Sequence, residues 1–460
     1  MLIERFTAAG RALKSRNYRL LFLGQMISLT GSWMTQIATS WLVYNLTKSS
    51  QELGIVSFCG QIPAFLVAPF AGVWIDRWDL RKTLLVTQIL AMCQSFALAF
   101  FTLRHTITIP LLLGLYIVQG FINGIDIPAR QAIVSQLVTD PNEVGNAIAL
   151  NSSLFNLARV IGPSIAGFVI AASSEGVCFL IDGISYIAAI AAIFFIYLTP
   201  TLHRPNKHVL HELRDGLNYT VGFAPLRELL ILAAVVSLMG IPFQVLMPVF
   251  AKEFLHGGPR TLGWLMAGIG GGATIGALVL ASRRNVVGLG LWIIVAGLGF
   301  VFSITLFAFS RHVWLSILLM AGAGLALVMV NASINTLVQT LADEDKRGRA
   351  LSLLMMSFLG MVPLGSLLFG ELARPVRLGA TWTLTLGAAC VALAVARFAW
   401  IRSSLRKYIR PVLIARGHSP ADRPRLGSAG GVNRSAGAGG VNHWSQGVYI
   451  APDRPSLFPL

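Results

Sequence analysis

The sequence predicts an all-α membrane protein with twelve transmembrane helices in two pseudo-symmetric six-helix bundles. Three observations carry that expectation. Hydrophobic residues fill 55% of the 460 positions and charged residues 12%, against roughly 45–50% and about 25% in soluble domains. Apolar runs near the ~20 residues a helix needs to cross a bilayer core recur between short polar breaks along almost the whole chain. Finally, glycines in the two halves match at one offset: setting Gly145 on Gly348 also sets Gly162 on Gly365 and Gly167 on Gly370, with the polar stretches "TDPNEVG" and "ADEDKRG" ending at the first pair. Three matches at a common offset point to an internal duplication.

Six spans run at roughly 19–46, 53–75, 83–102, 109–138, 146–172 and 177–198, and six more at 227–250, 262–282, 289–309, 313–340, 349–372 and 379–401. The chain therefore divides into a cytoplasmic N-terminal segment (1–18), a first bundle (19–198), a linker (199–225), a second bundle (226–401) and a tail (402–460). In the linker, Val209, Leu213, Leu217 and Tyr219 recur at helical spacing, which predicts an amphipathic helix on the membrane surface. The tail opens with Arg402, Arg406, Lys407, Arg410 and Arg416, a composition suited to anionic lipid, and continues into the Gly- and Ser-rich "SAGGVNRSAGAGGVN", expected to be disordered.

A net charge of +17 would suggest nucleic acid in a soluble chain, but here the basic residues sit mostly in the breaks between apolar runs. They favour alternate breaks, starting with the N-terminus and its Arg5, Arg11, Lys14 and Arg16, which places both termini in the cytoplasm and the chain in the cytoplasmic (inner) membrane. No cleaved leader is expected, because the N-terminus lacks a short apolar core followed by a small-residue cleavage site. Cys59, Cys93, Cys178 and Cys390 are far apart and imply neither a disulfide framework nor a metal site.

After the second span comes "GVWIDRWDLRK", five charges within seven positions. Positive-inside bias accounts for its basic residues but not for Asp76 at a fixed spacing from Gly72. Gly72, Asp76, Arg77, Arg81 and Lys82 resemble the loop signature of the major facilitator superfamily, so the chain is identified as similar to that family. The resemblance implies a major facilitator fold and a cytoplasmic latch at this loop. The matching loop of the second half keeps Arg283 and Arg284 without an equivalent Asp, so the latch is expected to be asymmetric. The stretches "NYRLLFLGQMISLTGSWM", "IPAFLVAPFAGVWIDR", "DIPARQAIV" and "ARVIGPSIAG" resemble the branch containing the enterobactin exporter and the macrolide efflux proteins. Gly162, Pro163 and Gly167 resemble the element carried by antiporters of the family, with Ala166 replacing one Gly. That element implies export.

Charges inside a bilayer cost roughly 2.5–3.5 kcal/mol or more, so those that persist are expected to face a cavity or a partner. Asp126 and Arg130 lie in the fourth span, Arg159 in the fifth and Asp182 in the sixth. Asp126 with Arg130, or Asp182 with Arg159, are expected to neutralise each other. Polar stripes point to a wet face: Gln119, Asn123, Asp126 and Arg130 on the fourth span; Gln25, Ser28, Ser32, Gln36 and Thr39 on the first; Ser152, Asn156 and Arg159 on the fifth; Asn331, Asn335 and Gln339 on the tenth. The resemblance implies that helices one, four, seven and ten line the cavity. Trp33 is a candidate for stacking on a substrate. Burial disfavours a charged carboxyl and a nearby Arg favours it, so Asp126 or Asp182 is a candidate to carry a proton across.

Other signals are discounted. "GIGGGATIG" lies within an apolar span, with no preceding strand, and its glycines at intervals of four suit close helix packing. No GxxxxGK[ST] motif occurs, and the His residues fall in loops or tails without metal-site spacing. The expected protein is not an enzyme, needs no cofactor, and is a monomeric secondary transporter that exports a small amphipathic, siderophore- or drug-like molecule by alternating access with proton antiport. Its partners are that small-molecule substrate, protons and membrane lipids, and not nucleic acid. The alternatives are a solute importer of the same fold, a non-transporting membrane receptor, or a permease subunit.

Overall fold

A computed structural model of the chain describes residues 11–75, 77–138, 143–196, 219–220, 222–283, 288–344 and 346–415. The first half contains α1 (Arg16–Thr47), α2 (Ser50–Ile75), α3 (Leu80–Leu103), α4 (Ile109–Leu137), α5 (Val144–Ala172) and α6 (Glu175–Phe194). The second contains α7 (Ala224–Phe254), α8 (Pro259–Ala281), α9 (Leu289–Phe309), α10 (Val313–Leu341), α11 (Arg347–Leu372) and α12 (Gly379–Ala415). Eleven of these helices are long and apolar enough to cross a membrane. The remaining one, α1, has 32 residues and is long enough to span, but its polar stripe lowers its average hydropathy.

Local chemistry sets many of the boundaries. Ser15 caps α1 by accepting from the Tyr18 amide, and the helix ends at Lys48 in the left-handed region, φ 52°. Asp79 caps α3 through the Lys82 amide, while Pro110 and Pro259 open α4 and α8, where a missing N–H costs nothing. Two differences from the sequence expectation stand out. α7 is not one regular helix: π turns at Val236–Gly240 and Phe250–Phe254 flank a 3-10 stretch at Ile241–Leu246 and a short α turn at Met247–Val249. Pro242 and Pro248 lie in that stretch and cannot donate to the regular ladder. α12 runs through the start of the basic segment to Ala415 rather than ending near 401. The amphipathic helix expected over 209–219 lies outside the described residues except for Tyr219, and so does the Gly- and Ser-rich tail.

The two halves repeat one packing scheme. In the first, α1 packs on α5 and α6, α2 on α4, and α3 on α4 and α6; in the second, α7 packs on α11 and α12, α8 on α10, and α9 on α10 and α12. Each pair maps onto its counterpart six helices later. The matched glycines show the same symmetry: a Cβ on Gly162 would lie 2.9 Å from the Thr30 carbonyl of α1, and one on Gly365 would overlap the Leu238 carbonyl of α7. Large hydrophobic side chains such as Leu66, Phe302, Leu318 and Leu393 point outward, the pattern of a surface solvated by lipid.

Two seams join the halves, α2 with α11 and α5 with α8. Both close at the end of the bundle opposite the start of α1 and the end of α12. A Cβ on Gly54 would lie 2.9 Å from the Gly370 Cα, and one on Gly167 3.1 Å from the Gly263 Cα, so only glycine admits this approach. Ser50 Oγ donates to the Gly370 carbonyl at 3.0 Å, and Tyr44 Oη of α1 donates to Glu253 Oε1 of α7 at 3.0 Å. This face is closed.

Candidate functional site

Between the halves lies a cavity of about 880 Å³. α1 lines it with Ser32, Trp33 and Gln36, α4 with Gln119, Asn123, Asp126 and Arg130, and α5 with Phe155 and Asn156. α2 adds Gln61, α3 adds Gln88 and Gln94, and α6 adds Asp182 and Tyr186. The second half supplies a drier wall, including Ile241, Pro242, Val245, Leu262, Met266 and Val362. Near the closed face the lining residues Val43, Leu53 and Val56 are buried, whereas Gln131, Ser152 and Phe155, nearer the face where α1 begins and α12 ends, are exposed. The cavity therefore opens toward the face where α1 begins and α12 ends.

Two carboxylates are buried in its wall, and their surroundings differ. Asp126, 5% exposed, accepts at Oδ1 from Thr87 Oγ1 at 2.8 Å and Gln88 Nε2 at 2.7 Å, and Oδ2 is ion-paired with the Arg130 guanidinium one turn along α4. Its charge is balanced. Asp182, 1% exposed, accepts at Oδ2 from Thr35 Oγ1 and Ser95 Oγ, each at 2.8 Å, while Oδ1 has no hydrogen-bond partner among the described residues. α1 closes over Asp182 because Gly31 has no side chain: a Cβ there would lie 2.7 Å from Oδ1. Beside it, Ser32 Oγ and Tyr186 Oη are 3.2 Å apart.

The expected Asp182–Arg159 pair does not form. Arg159 instead lies over the Trp33 ring, 5.6 Å from its centroid, and Trp33 meets Phe155 edge-on at 5.6 Å. Asp182 turns toward α1 and α3, and Arg159 toward the aromatic face of α1, so the rotation of the two helices separates them. Gln25 is buried between α1, α3 and α6, outside the cavity lining. Asn331 and Asn335 of α10 also lie outside it, and Asn335 Oδ1 accepts from Gln339 Nε2 at 3.3 Å. Thus α1, α4 and α7 line the cavity, while α10 does not.

At the loop after α2, Asp76 lies outside the described residues. Arg77 is exposed, and a Cβ on Gly72 would meet nothing within 4 Å. Arg81 reaches across to α6: its Nε donates to the Ile193 carbonyl at 3.1 Å and its Nη2 to the Phe194 carbonyl, satisfying the exposed end of that helix. The Lys82 amide is held by Asp79 Oδ1 at 3.1 Å. The carboxylate seen working here is Asp79, which sequence reading passed over although an Asp immediately before an apolar helical run is an N-cap signal. Pro163 and Gly167 sit at the seam where α5 meets α8: a Cβ on Gly263 would lie 2.7 Å from the Pro163 carbonyl.

The polar contribution of α3 was also missed. Thr87, Gln88, Gln94 and Ser95 repeat at an interval of seven, two helical turns, and their side chains hold both carboxylates or line the cavity between them. Among the described residues no group of His, Cys, Asp and Glu could hold a metal ion.

Comparison with known proteins accords with this architecture. The staphyloferrin A transporter of Staphylococcus aureus is 26% identical over 76% of this chain and 88% of its own length. The multidrug efflux pump Tap of Mycolicibacterium fortuitum is 24% identical over 79% of this chain and 90% of its own. Macrolide efflux protein A of Streptococcus pyogenes is 20% identical over 59% and 69%. Among solved structures, the nucleoside transporter NupG superposes with a TM-score of 0.65 at 14% identity, over 84% of this chain and 99% of that one. A D-xylose-proton symporter gives 0.64 at 14%, over 84% and 97%. The sequence pattern of the transmembrane secretion effectors matches residues 8–427. The chain is a multi-pass membrane transporter rather than an enzyme, and it belongs to the transmembrane secretion effector family of the major facilitator superfamily.

Proposed function

We infer that the protein exports a small amphipathic molecule, siderophore- or drug-like, across the cytoplasmic membrane by alternating access, driven by protons moving inward. The observation that carries this reading is the cavity of about 880 Å³ between the halves, sealed at one face and open at the other, with two buried carboxylates in its wall. The names of the siderophore and efflux relatives favour this substrate class and direction. With both termini cytoplasmic, as the basic residues argue, the open face is the inner one. Bundles at 19–198 and 226–401 would rock about the seams, and the chain would act as a monomer.

Asp182 is the proton carrier in this scheme. Its Oδ1 is free to accept a proton, while the Thr35 and Ser95 hydroxyls hold Oδ2 in either protonation state. In the outward-open form the carboxyl takes up a proton; on return to the inward-open form it releases it, and substrate occupies the cavity in the opposite stroke. Asp126, already balanced by Arg130, is a fixed pair that ties α4 to α3.

Everted membrane vesicles test the scheme. Uptake of a substrate from a panel of siderophores and drugs should follow the proton gradient and collapse with a proton ionophore. Uptake that needs ATP and ignores the ionophore would make the chain a permease subunit; absence of any solute movement would make it a receptor; and accumulation in the opposite direction would make it an importer.

A further inference from the structure

We propose that Arg159, laid on the face of Trp33, is an anion subsite that selects substrates carrying a carboxylate beside an apolar group. The inference rests on the transporter reading above and adds the chemical class of its cargo. Arg159 is half-buried in the middle of α5, and its sole recorded interaction among the described residues is with the Trp33 ring. A guanidinium cannot shed its charge, and an unpaired cation at this depth is costly. The charges already in the wall do not answer it, since Asp126 is paired with Arg130 and Asp182 is held by hydroxyls of α1 and α3.

The direction of the side chain follows from the helix. Ser152 and Asn156, which line the cavity, precede Arg159 by seven and three positions, so all three share one face of α5. Leu157, Ile161 and Phe168, exposed like lipid-facing residues, occupy the opposite face. Arg159 therefore projects toward the cavity side of α5, stacked on Trp33, which lines the cavity, while Arg159 itself is set back from the lining.

Stacking on an aromatic ring uses the face of the guanidinium and leaves its N–H donors in the plane free, the arrangement a carboxylate meets with two parallel hydrogen bonds. Phe155, one turn toward the open face, is 47% exposed and meets Trp33 edge-on. It offers an apolar surface next to the cation. A substrate with an acidic group and an adjoining ring or alkyl chain satisfies both, and its charge answers a cation that has no anionic partner among the described residues.

The test uses coumarin-3-carboxylate and coumarin-3-carboxamide, which differ by a charge at nearly constant shape, with binding to the purified full chain in zwitterionic nanodiscs read from tryptophan fluorescence. The acid should bind about tenfold or more tightly than the amide. Arg159→Gln should abolish that preference while leaving amide binding within a factor of two to three, and Arg159→Lys should restore part of it. Unfolding temperatures of the variants check that they fold. Equal binding of acid and amide by the wild type, or equal weakening of both by Arg159→Gln in a folded protein, overturns the proposal. A chain that prefers the acid yet moves no solute in vesicles would retain the subsite and lose the exporter reading, so the two failures are distinguishable.

Discussion

The two halves of the bundle share a frame and differ in what they put inside it. α1–α6 and α7–α12 repeat the same helix contacts and the same glycine approaches, Gly162 on α1 matching Gly365 on α7. Yet the carboxylates, the Arg130 guanidinium and most of the amides of the cavity come from the first half, while the second contributes mainly aliphatic side chains. Backbone-to-backbone contacts tolerate almost no change, because an added methyl collides with a carbonyl or Cα atom. Side chains facing a cavity have no such partner to satisfy. The packing therefore repeats across the two halves, while the chemistry collects in the first.

This contrast can be broken or sharpened by substitution. The largest effect is expected at Asp182→Asn: gradient-driven export in everted vesicles should fall to background, while exchange of labelled for unlabelled substrate continues, because only proton coupling is lost. Survival of gradient-driven export would remove the working carboxylate from the first half. Next, Asp126→Asn leaves the half-buried Arg130 without its anion and should cost about 3 kcal/mol of stability, read as a lowered unfolding temperature. The double change Asp126→Asn with Arg130→Gln should recover most of that loss. If Asp126→Asn instead halts coupling in a fully stable protein, the roles of the two carboxylates are exchanged.

At the seams, Gly167→Val and Gly370→Val should each destabilise the closed face by about 1–3 kcal/mol through overpacking. Because the contacts are related by the pseudo-symmetry, the two losses should be equal, and a large difference between them would confine the symmetry to helix order. The smallest effect is expected at Asn335→Ala, within about 0.5 kcal/mol and with transport unchanged, since this side chain lies outside the cavity lining. A marked transport defect there would restore α10 to the cavity wall.

How much of this was legible in the sequence depends on what each signal measures. Span length and composition report on the solvent the chain meets, and the bilayer imposes nearly the same requirement on every span, so twelve spans and a duplication could be read directly. Periodicity reports which residues share a face of one helix. It found the stripes that carry Gln119, Asn123, Asp126 and Arg130, and those holding Ser32, Gln36 and Asn156. It does not report what the face looks at, so Asn331 and Asn335 were assigned to a cavity they do not line, and Gln25 proved to lie one helix layer away from it. Nor can it give the rotation of one helix against another, which is why Asp182 and Arg159 were paired. The seven-residue repeat on α3 was available but carries no formal charge, and attention to buried charge passed it by.

The irregular winding of α7 has a mechanical consequence. Its wide π turns and its narrow 3-10 turn alternate where Ile241, Gln244 and Val245 face the cavity, so the helix is underwound and overwound in adjacent stretches. Trading a rung between those stretches would swing the intervening side chains around the axis while the number of hydrogen bonds stays nearly constant. The wall contributed by the second half would then change its outline at low elastic cost while the rest of the cavity stays as it is.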